Sequence, residues 1–299
     1  MSTSNIGLEI GANKPTNRQY FYSYAVDWIV VIVMIIINVI IYYLKPHHRN
    51  FSINDATIKF PMKDDTVPFW AAGVISVALP ALVVIGFSLF KRRSFFRMQV
   101  GLLALAMSHL TTLVITDSLK ALVGRNRPDF LSRCKVDMTK VLTIAGGTGS
   151  SVSAIPVDPP LGLYSSSICT NTDAAVLKDG MMSFPSGHSS TTFCGMLFLS
   201  LFLCAQLSVY NGKTRTAYLF LVFTPIVIAV LVAASRSYDN RHHWQDILGG
   251  SIIGVICAWY CYRFYFPSVA SAECRNPYNR RFDDGYTNVE ERSPKPSIV

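Results

Sequence analysis

At 299 residues, with 51% hydrophobic and only 15% charged side chains, the chain is too apolar for an ordinary soluble domain and reads as an integral membrane protein. Its net charge of +9 comes without zinc-finger spacing, a helix-turn-helix pattern or an aromatic-studded basic sheet, which excludes a nucleic-acid binder of those kinds. Phosphate or anionic lipid is the expected partner.

Residues 1–23 form a polar leader without a signal-peptide core, so the first apolar run is expected to be an uncleaved anchor. Six runs are long enough to cross a bilayer: Tyr24 to Leu44, Pro68 to Phe90, Met98 to about Leu119, Ser189 to Val209, Tyr218 to Ala234, and Ile247 to Phe266. Tyr42, Tyr43 and Lys45 edge the first run as interfacial residues do. Asn50-Phe51-Ser52 is a glycosylation sequon, usable only if it faces a lumen. Between the second and third runs, Lys91, Arg92, Arg93 and Arg97 mark a short cytosolic turn, although total Lys and Arg counts on the two sides are nearly equal. From Asp129 to Met182 the chain leaves the bilayer, and Gly146 to Ser167, rich in Gly, Ser and Pro, is expected to be a flexible insertion. The tail, 267–299, is polar.

Of seven cysteines, Cys194, Cys204, Cys257 and Cys261 fall in apolar runs as small packing residues. Cys134 and Cys169 share the long polar loop, either as a bridge or as two free thiols. Cys274 follows the last run, where acylation is only weakly signalled.

With six spans, the ends reached after spans one, three and five face one compartment, and three polar clusters obey that parity. Lys120 to Pro128 closes span three, Pro185-Ser186-Gly187-His188 opens span four, and Arg236 to Asp246 joins spans five and six. Taken singly, each has a plain explanation. Lys120 and Arg127 could be interfacial anchors, Pro185-Ser186-Gly187 a helix start, and His242 with Asp246 an i,i+4 helical pair or two metal ligands. Together on one face they fit phosphoryl transfer, whose transition state spreads negative charge over three oxygens and calls for several fixed cations. Lys120, Arg127 and Arg236 would supply charge, and backbone N-H groups near Ser186 and Gly187 further donors. His242 would be the nucleophile, Asp246 its orienting carboxylate and His188 the general acid. Asp117, one turn before Lys120, is expected to pair with it. Neither a metal nor any other cofactor is required by this scheme.

Lys120-x6-Arg127-Pro128, Pro185-Ser186-Gly187-His188 and Ser235-Arg236-x5-His242-x3-Asp246 resemble the three-part signature of the type 2 phosphatidic acid phosphatase, or lipid phosphate phosphatase, superfamily. Phe51 to Asp55, Gly124 to Phe130 and His242-His243-Trp244 add a closer likeness to fungal diacylglycerol pyrophosphate phosphatases. The resemblance covers roughly residues 24 to 266. It implies an all-α, polytopic fold of six transmembrane helices with the active site at one membrane face. It implies a magnesium-independent phosphatase of phosphatidate, lysophosphatidate and diacylglycerol pyrophosphate, with a lumenal active face and cytosolic termini. It assigns phosphate binding to Lys120, Arg127, Ser186, Gly187 and Arg236, and catalysis to His188, His242 and Asp246. From the fungal likeness a vacuolar, Golgi or endoplasmic reticulum membrane is expected. His243, one place late for the nucleophile, reads as a packing or rim residue.

The motifs read phosphate and not what carries it, so sphingoid-base phosphates, polyprenyl diphosphates and sugar phosphates remain alternatives. A non-catalytic lipid-phosphate binder would be expected to lack His188, His242 or Asp246. A transporter would carry charges buried in mid-span and broken helices in paired halves, for which only His109 and Asp117 in span three and Pro80 in span two offer hints.

Overall fold

The computed structural model describes residues 16–144, 162–211 and 214–278, so most of the leader, most of the tail and the larger part of the Gly/Ser/Pro stretch lie outside the described residues. Six helices are long and apolar enough to span a bilayer: Ala25–Tyr43, Phe69–Lys91, Phe95–Val123, Gly187–Leu207, Ala217–Tyr238 and Trp244–Tyr265. Among the described residues there are only two isolated strand bridges beside the helices, so the all-α, six-span architecture holds. Span five runs a turn further than its apolar stretch, carrying Arg236 on its last turn. Charge at that end is tolerated because Arg236 and Asp239 pair across i,i+3, with Arg236 Nη2 2.7 Å from Asp239 Oδ2.

Span four is the central helix: 78% of its most apolar stretch is buried, against 6% for span one, most of whose isoleucines and valines are exposed. Small residues make this central position possible. A Cβ on Gly254 of span six would overlap the Ser190 carbonyl oxygen, and one on Gly195 would strike the Ser76 backbone. The hydroxyls of Thr191 and Thr192 fold back onto the carbonyls of Gly187 and His188, at 2.8 and 2.6 Å, so these polar side chains are satisfied within the helix. Span two departs from α geometry at Val74–Ala78 and Phe87–Lys91, which are π-helical turns. Pro80 has no N-H to offer Ser76, and the loosened first turn accommodates that gap.

The loop between spans three and four folds into a cap over one end of the bundle. Its helices Phe130–Cys134 and Ala174–Gly180 pack with the segment after span one around Phe51, Ile58, Phe130, Tyr164, Ile168 and Met181. Cys134 and Cys169 are bridged. The C-terminal end of the expected flexible insertion is ordered instead: Tyr164 is buried and exchanges both backbone hydrogen bonds with Phe51, at 2.9 and 2.7 Å. One aromatic anchor suffices to fix that end, whereas residues 145–161 lie outside the described residues. Cys274 is also buried, its thiol donating to the Ala205 carbonyl, so it presents no surface thiol for acylation.

Close backbone approach at spans four and six should make Gly254→Ala costly by about 1–3 kcal/mol through overpacking. Thermal melting in detergent should fall by several degrees, while Gly73→Ala, where a Cβ meets nothing within 4 Å, should leave it unchanged or slightly raised. Equal melting of Gly254→Ala and the unmodified chain would contradict this packing.

Candidate active site

Gly124, at φ +58°, ends span three in the left-handed region, and the three residues that follow leave the helix. The turn is locked because the His47 N-H donates to the Ala121 carbonyl, and a Cβ on Gly124 would overlap the His47 carbonyl. Arg127 then faces a cavity of about 420 Å³ while Arg125 faces the opposite way, toward Asp246. Ser186 N-caps span four, its hydroxyl accepting from the Ser189 N-H, so Gly187 and His188 occupy the first turn of that helix.

This cavity brings together Lys120, Arg127, Gly187, His188, Arg236 and His242, drawn from all three motifs. Ser186 and Asp246 are fully buried behind its wall. A Cβ on Gly187 would sit 2.8 Å from Lys120 Nζ, which is why only glycine lets the ammonium lie against the helix start.

Each motif cation is already braced. Lys120 Nζ is 3.1 Å from Asp117 Oδ1, as its spacing predicts. Arg127 Nη2 is 2.6 Å from Asp179 Oδ1, and Arg133 Nη1 holds the other oxygen of Asp179 at 2.9 Å. Arg236, 1% exposed, donates to Asp65 at 2.9 Å, to Asp239 at 2.7 Å and to the Ser235 hydroxyl. Burial raises the Asp179 carboxyl, but the charges of Arg127 and Arg133 prevail and hold it below the usual carboxylate range.

His242 is buried, with Nδ1 2.7 Å from the Ser183 carbonyl oxygen. A carbonyl can only accept, so Nδ1 carries the proton and Nε2 keeps the lone pair. Burial pushes this imidazole well below its ordinary pKa, the charges of Arg127 and Lys120 push the same way, and the Ser183 hydrogen bond opposes them. The expected direct pairing with Asp246 is replaced by an indirect one, because Asp246 Oδ2 lies 3.9 Å from Nδ1. Asp246 instead accepts from the Ser183 hydroxyl at 2.5 Å, Arg125 Nη1 at 2.7 Å and the His243 N-H at 3.0 Å. It therefore fixes the residue that fixes His242. His188 Nε2 lies 3.1 Å from the Val67 carbonyl oxygen, which places a proton on that nitrogen too.

Sequence reasoning missed Ser183, Asp65, Asp179, Arg133 and Asp239, none of which stands at a motif position. Arg125 and His243 were visible beside motif residues. His243 caps span six, and its Nδ1 and Nε2 lie 3.2 Å from Asp246 and from the Thr57 carbonyl. Among the described residues no group of three His, Cys, Asp or Glu side chains is placed to hold a metal ion.

Gly187→Ala should displace the mobile tip of Lys120 and weaken binding of inorganic phosphate by about tenfold, with little change in melting temperature. Gly250→Ala, whose Cβ would meet the Ser186 carbonyl oxygen at 2.5 Å, should lower the melting temperature instead. Unchanged phosphate affinity in Gly187→Ala would contradict the placement of Lys120.

Comparison with known proteins gives the family. The family described as the PAP2 superfamily matches residues 101–270. "Lipid phosphate phosphatase 1" of Arabidopsis thaliana is 36% identical over 253 residues, covering 84% of this chain and 71% of the relative. "Diacylglycerol pyrophosphate phosphatase 1" of Saccharomyces cerevisiae is 33% identical over 270 residues, covering 89% and 86%. "Probable diacylglycerol pyrophosphate phosphatase 1" of Schizosaccharomyces pombe is 35% identical over 251 residues, covering 82% of each. No solved structure matches. With its motifs gathered at one cavity and relatives alike over most of their length, the chain belongs to the PAP2 superfamily.

Proposed function

We propose that the protein is a lipid phosphate phosphatase that hydrolyses phosphatidate, lysophosphatidate and diacylglycerol pyrophosphate through a phosphohistidine intermediate without magnesium. The observation that carries this is one cavity lined by three motif cations and two histidines whose proton positions are set by backbone carbonyls. The names of the plant and yeast relatives support the substrate class.

In this mechanism Lys120, Arg127 and Arg236, with backbone N-H groups at Ser186 and Gly187, bind the phosphate oxygens. His242 Nε2 attacks phosphorus, forming an N-P bond as the P-O bond to the leaving group breaks. His188, entering the step as an imidazolium, gives one proton to the departing oxygen and becomes a neutral imidazole. Water then attacks the phosphohistidine, His188 takes a proton from it, and phosphate leaves with His242 regenerated. Asp246 acts through Ser183, holding the carbonyl that fixes the nucleophile's tautomer. Substrate enters laterally from the bilayer, so that only its headgroup reaches the cavity.

The working unit comprises residues 24–266, flanked by a cytosolic leader and tail. The Cys134–Cys169 bridge in the cap favours an oxidising, lumenal compartment for the active face, and the basic turn at the opposite end favours the cytosol there. The yeast relatives favour a vacuolar, Golgi or endoplasmic reticulum membrane.

The test is phosphate release from phosphatidate and diacylglycerol pyrophosphate in mixed micelles with EDTA, from pH 5 to 8, for the unmodified chain and His242→Ala. Activity should survive EDTA and vanish in the variant. Because the His242 pKa is lowered in the free protein, the nucleophile stays unprotonated as pH falls through about 6.5, the ordinary imidazole value, and the acid limb of kcat/KM should lie below it. Loss of activity in EDTA, or full activity in His242→Ala, would refute the mechanism.

A further inference from the structure

The cavity holds a cation that none of the three motifs supplies. Five cationic side chains line it, and four stand against carboxylates: Lys120 with Asp117, Arg127 with Asp179, and Arg236 and Arg241 with Asp65. The fifth is Lys178, from the cap helix Ala174–Gly180. Among the described residues it has no carboxylate within 4 Å. Its Nζ donates to the Tyr42 carbonyl at 2.9 Å and lies 5.4 Å from the centre of the Tyr42 ring. That carbonyl belongs to the last turn of span one, and Tyr42 itself is 68% exposed, so Lys178 stands at the rim where the cavity meets the membrane-facing surface. His242, by contrast, is 4% exposed and lies at the buried end.

A lipid headgroup that presents one phosphorus to His242 must trail its remaining atoms toward that rim. In a monophosphate these atoms are uncharged glycerol oxygens. In a diphosphate they include a second, negatively charged phosphate, which would reach Lys178.

We propose that Lys178 forms a second phosphate subsite, binding the lipid-proximal phosphate of a diphosphate-bearing lipid and so favouring diphosphates over monophosphates. This rests on the function proposed above. When the bond from His242 Nε2 to the terminal phosphorus forms, the bridging P-O bond breaks and its electron pair stays on the bridging oxygen. The leaving group is then a phosphate monoester whose added charge faces the Lys178 ammonium, and water completes the cycle by releasing inorganic phosphate from His242. Lys178 stabilises the departing charge directly, in addition to the proton supplied by His188. The backbone carbonyl it now contacts is a neutral acceptor that a phosphate oxygen readily replaces.

The test compares the unmodified chain with Lys178→Met and Lys178→Arg in two measurements. First, kcat/KM for diacylglycerol pyrophosphate should fall by about tenfold or more in Lys178→Met, with that for phosphatidate nearly unchanged, and Lys178→Arg should retain the preference. Second, imidodiphosphate, which is not hydrolysed at its bridge, should raise the melting temperature more than inorganic phosphate does, and Lys178→Met should abolish that difference. Equal losses on both lipids, or an unchanged ratio, would overturn the subsite while leaving the phosphatase assignment standing. If the unmodified chain hydrolysed neither lipid but still distinguished imidodiphosphate from phosphate through Lys178, the subsite would stand and the proposed activity would fall. Melting shifts that are the same for both anions and both chains would overturn the subsite directly.

Discussion

The structure depends above all on one buried carboxylate. Asp246 sits in the first turn of span six with no exposed surface, and it ties together the three polar segments that the sequence keeps far apart. Arg125 reaches it from the end of span three, the Ser183 hydroxyl from the approach to span four, and the His243 N-H from its own helix. Its backbone contributes as well, since the Ser186 N-H donates to the Asp246 carbonyl at 3.0 Å. A charge so buried is tolerable only because it is paired and hydrogen-bonded on both oxygens. Removing it would strand Arg125 and release Ser183, and with Ser183 the carbonyl that orients His242.

A second constraint is that a cavity lined by several cations must hold them in place without a bound anion. Like charges gathered in a cavity repel one another, and burial adds a desolvation cost to each. Carboxylates placed between the guanidinium groups offset both. Asp179 bridges Arg127 and Arg133, and Asp65 bridges Arg236 and Arg241. Both acids remain part-exposed, at 44% and 34%, so they balance charge without sealing the cavity. Both braces come from the cap and the segment after span one, which makes the chain between the spans part of the site and not a mere connection.

Much of this was legible in the sequence, for identifiable reasons. Six apolar runs announce spans because a bilayer leaves few alternatives, and motif residues at the end of span three, the start of span four and the end of span five must share one face. Lys120 with Asp117 follows from helical spacing alone. What escaped notice has equally physical causes. Ser183 acts through its carbonyl, which any residue possesses, so its identity carries no signal for that role. Asp65 and Asp179 lie in polar segments where an aspartate is unremarkable until folding sets it beside an arginine. The direct His242–Asp246 pairing looked natural at i,i+4, but His242 lies just before the cap of span six, outside its regular turns, and the extended backbone at His243 turns its Nδ1 toward Ser183 instead. The ordered edge of the cap depends on Tyr164 meeting Phe51, residues more than a hundred positions apart whose pairing no local pattern encodes.

The nucleophilic role proposed for His242 is tested most directly by rapid quenching of the protein with lipid phosphate carrying a radiolabel on the terminal phosphoryl group, followed by peptide mapping. An acid-labile, alkali-stable label on the peptide bearing His242, absent when His242 is replaced by alanine and decaying as free phosphate accumulates, is the predicted result. A turning-over enzyme with no covalent label under quench conditions that preserve phosphohistidine, or a label on another residue, would contradict it.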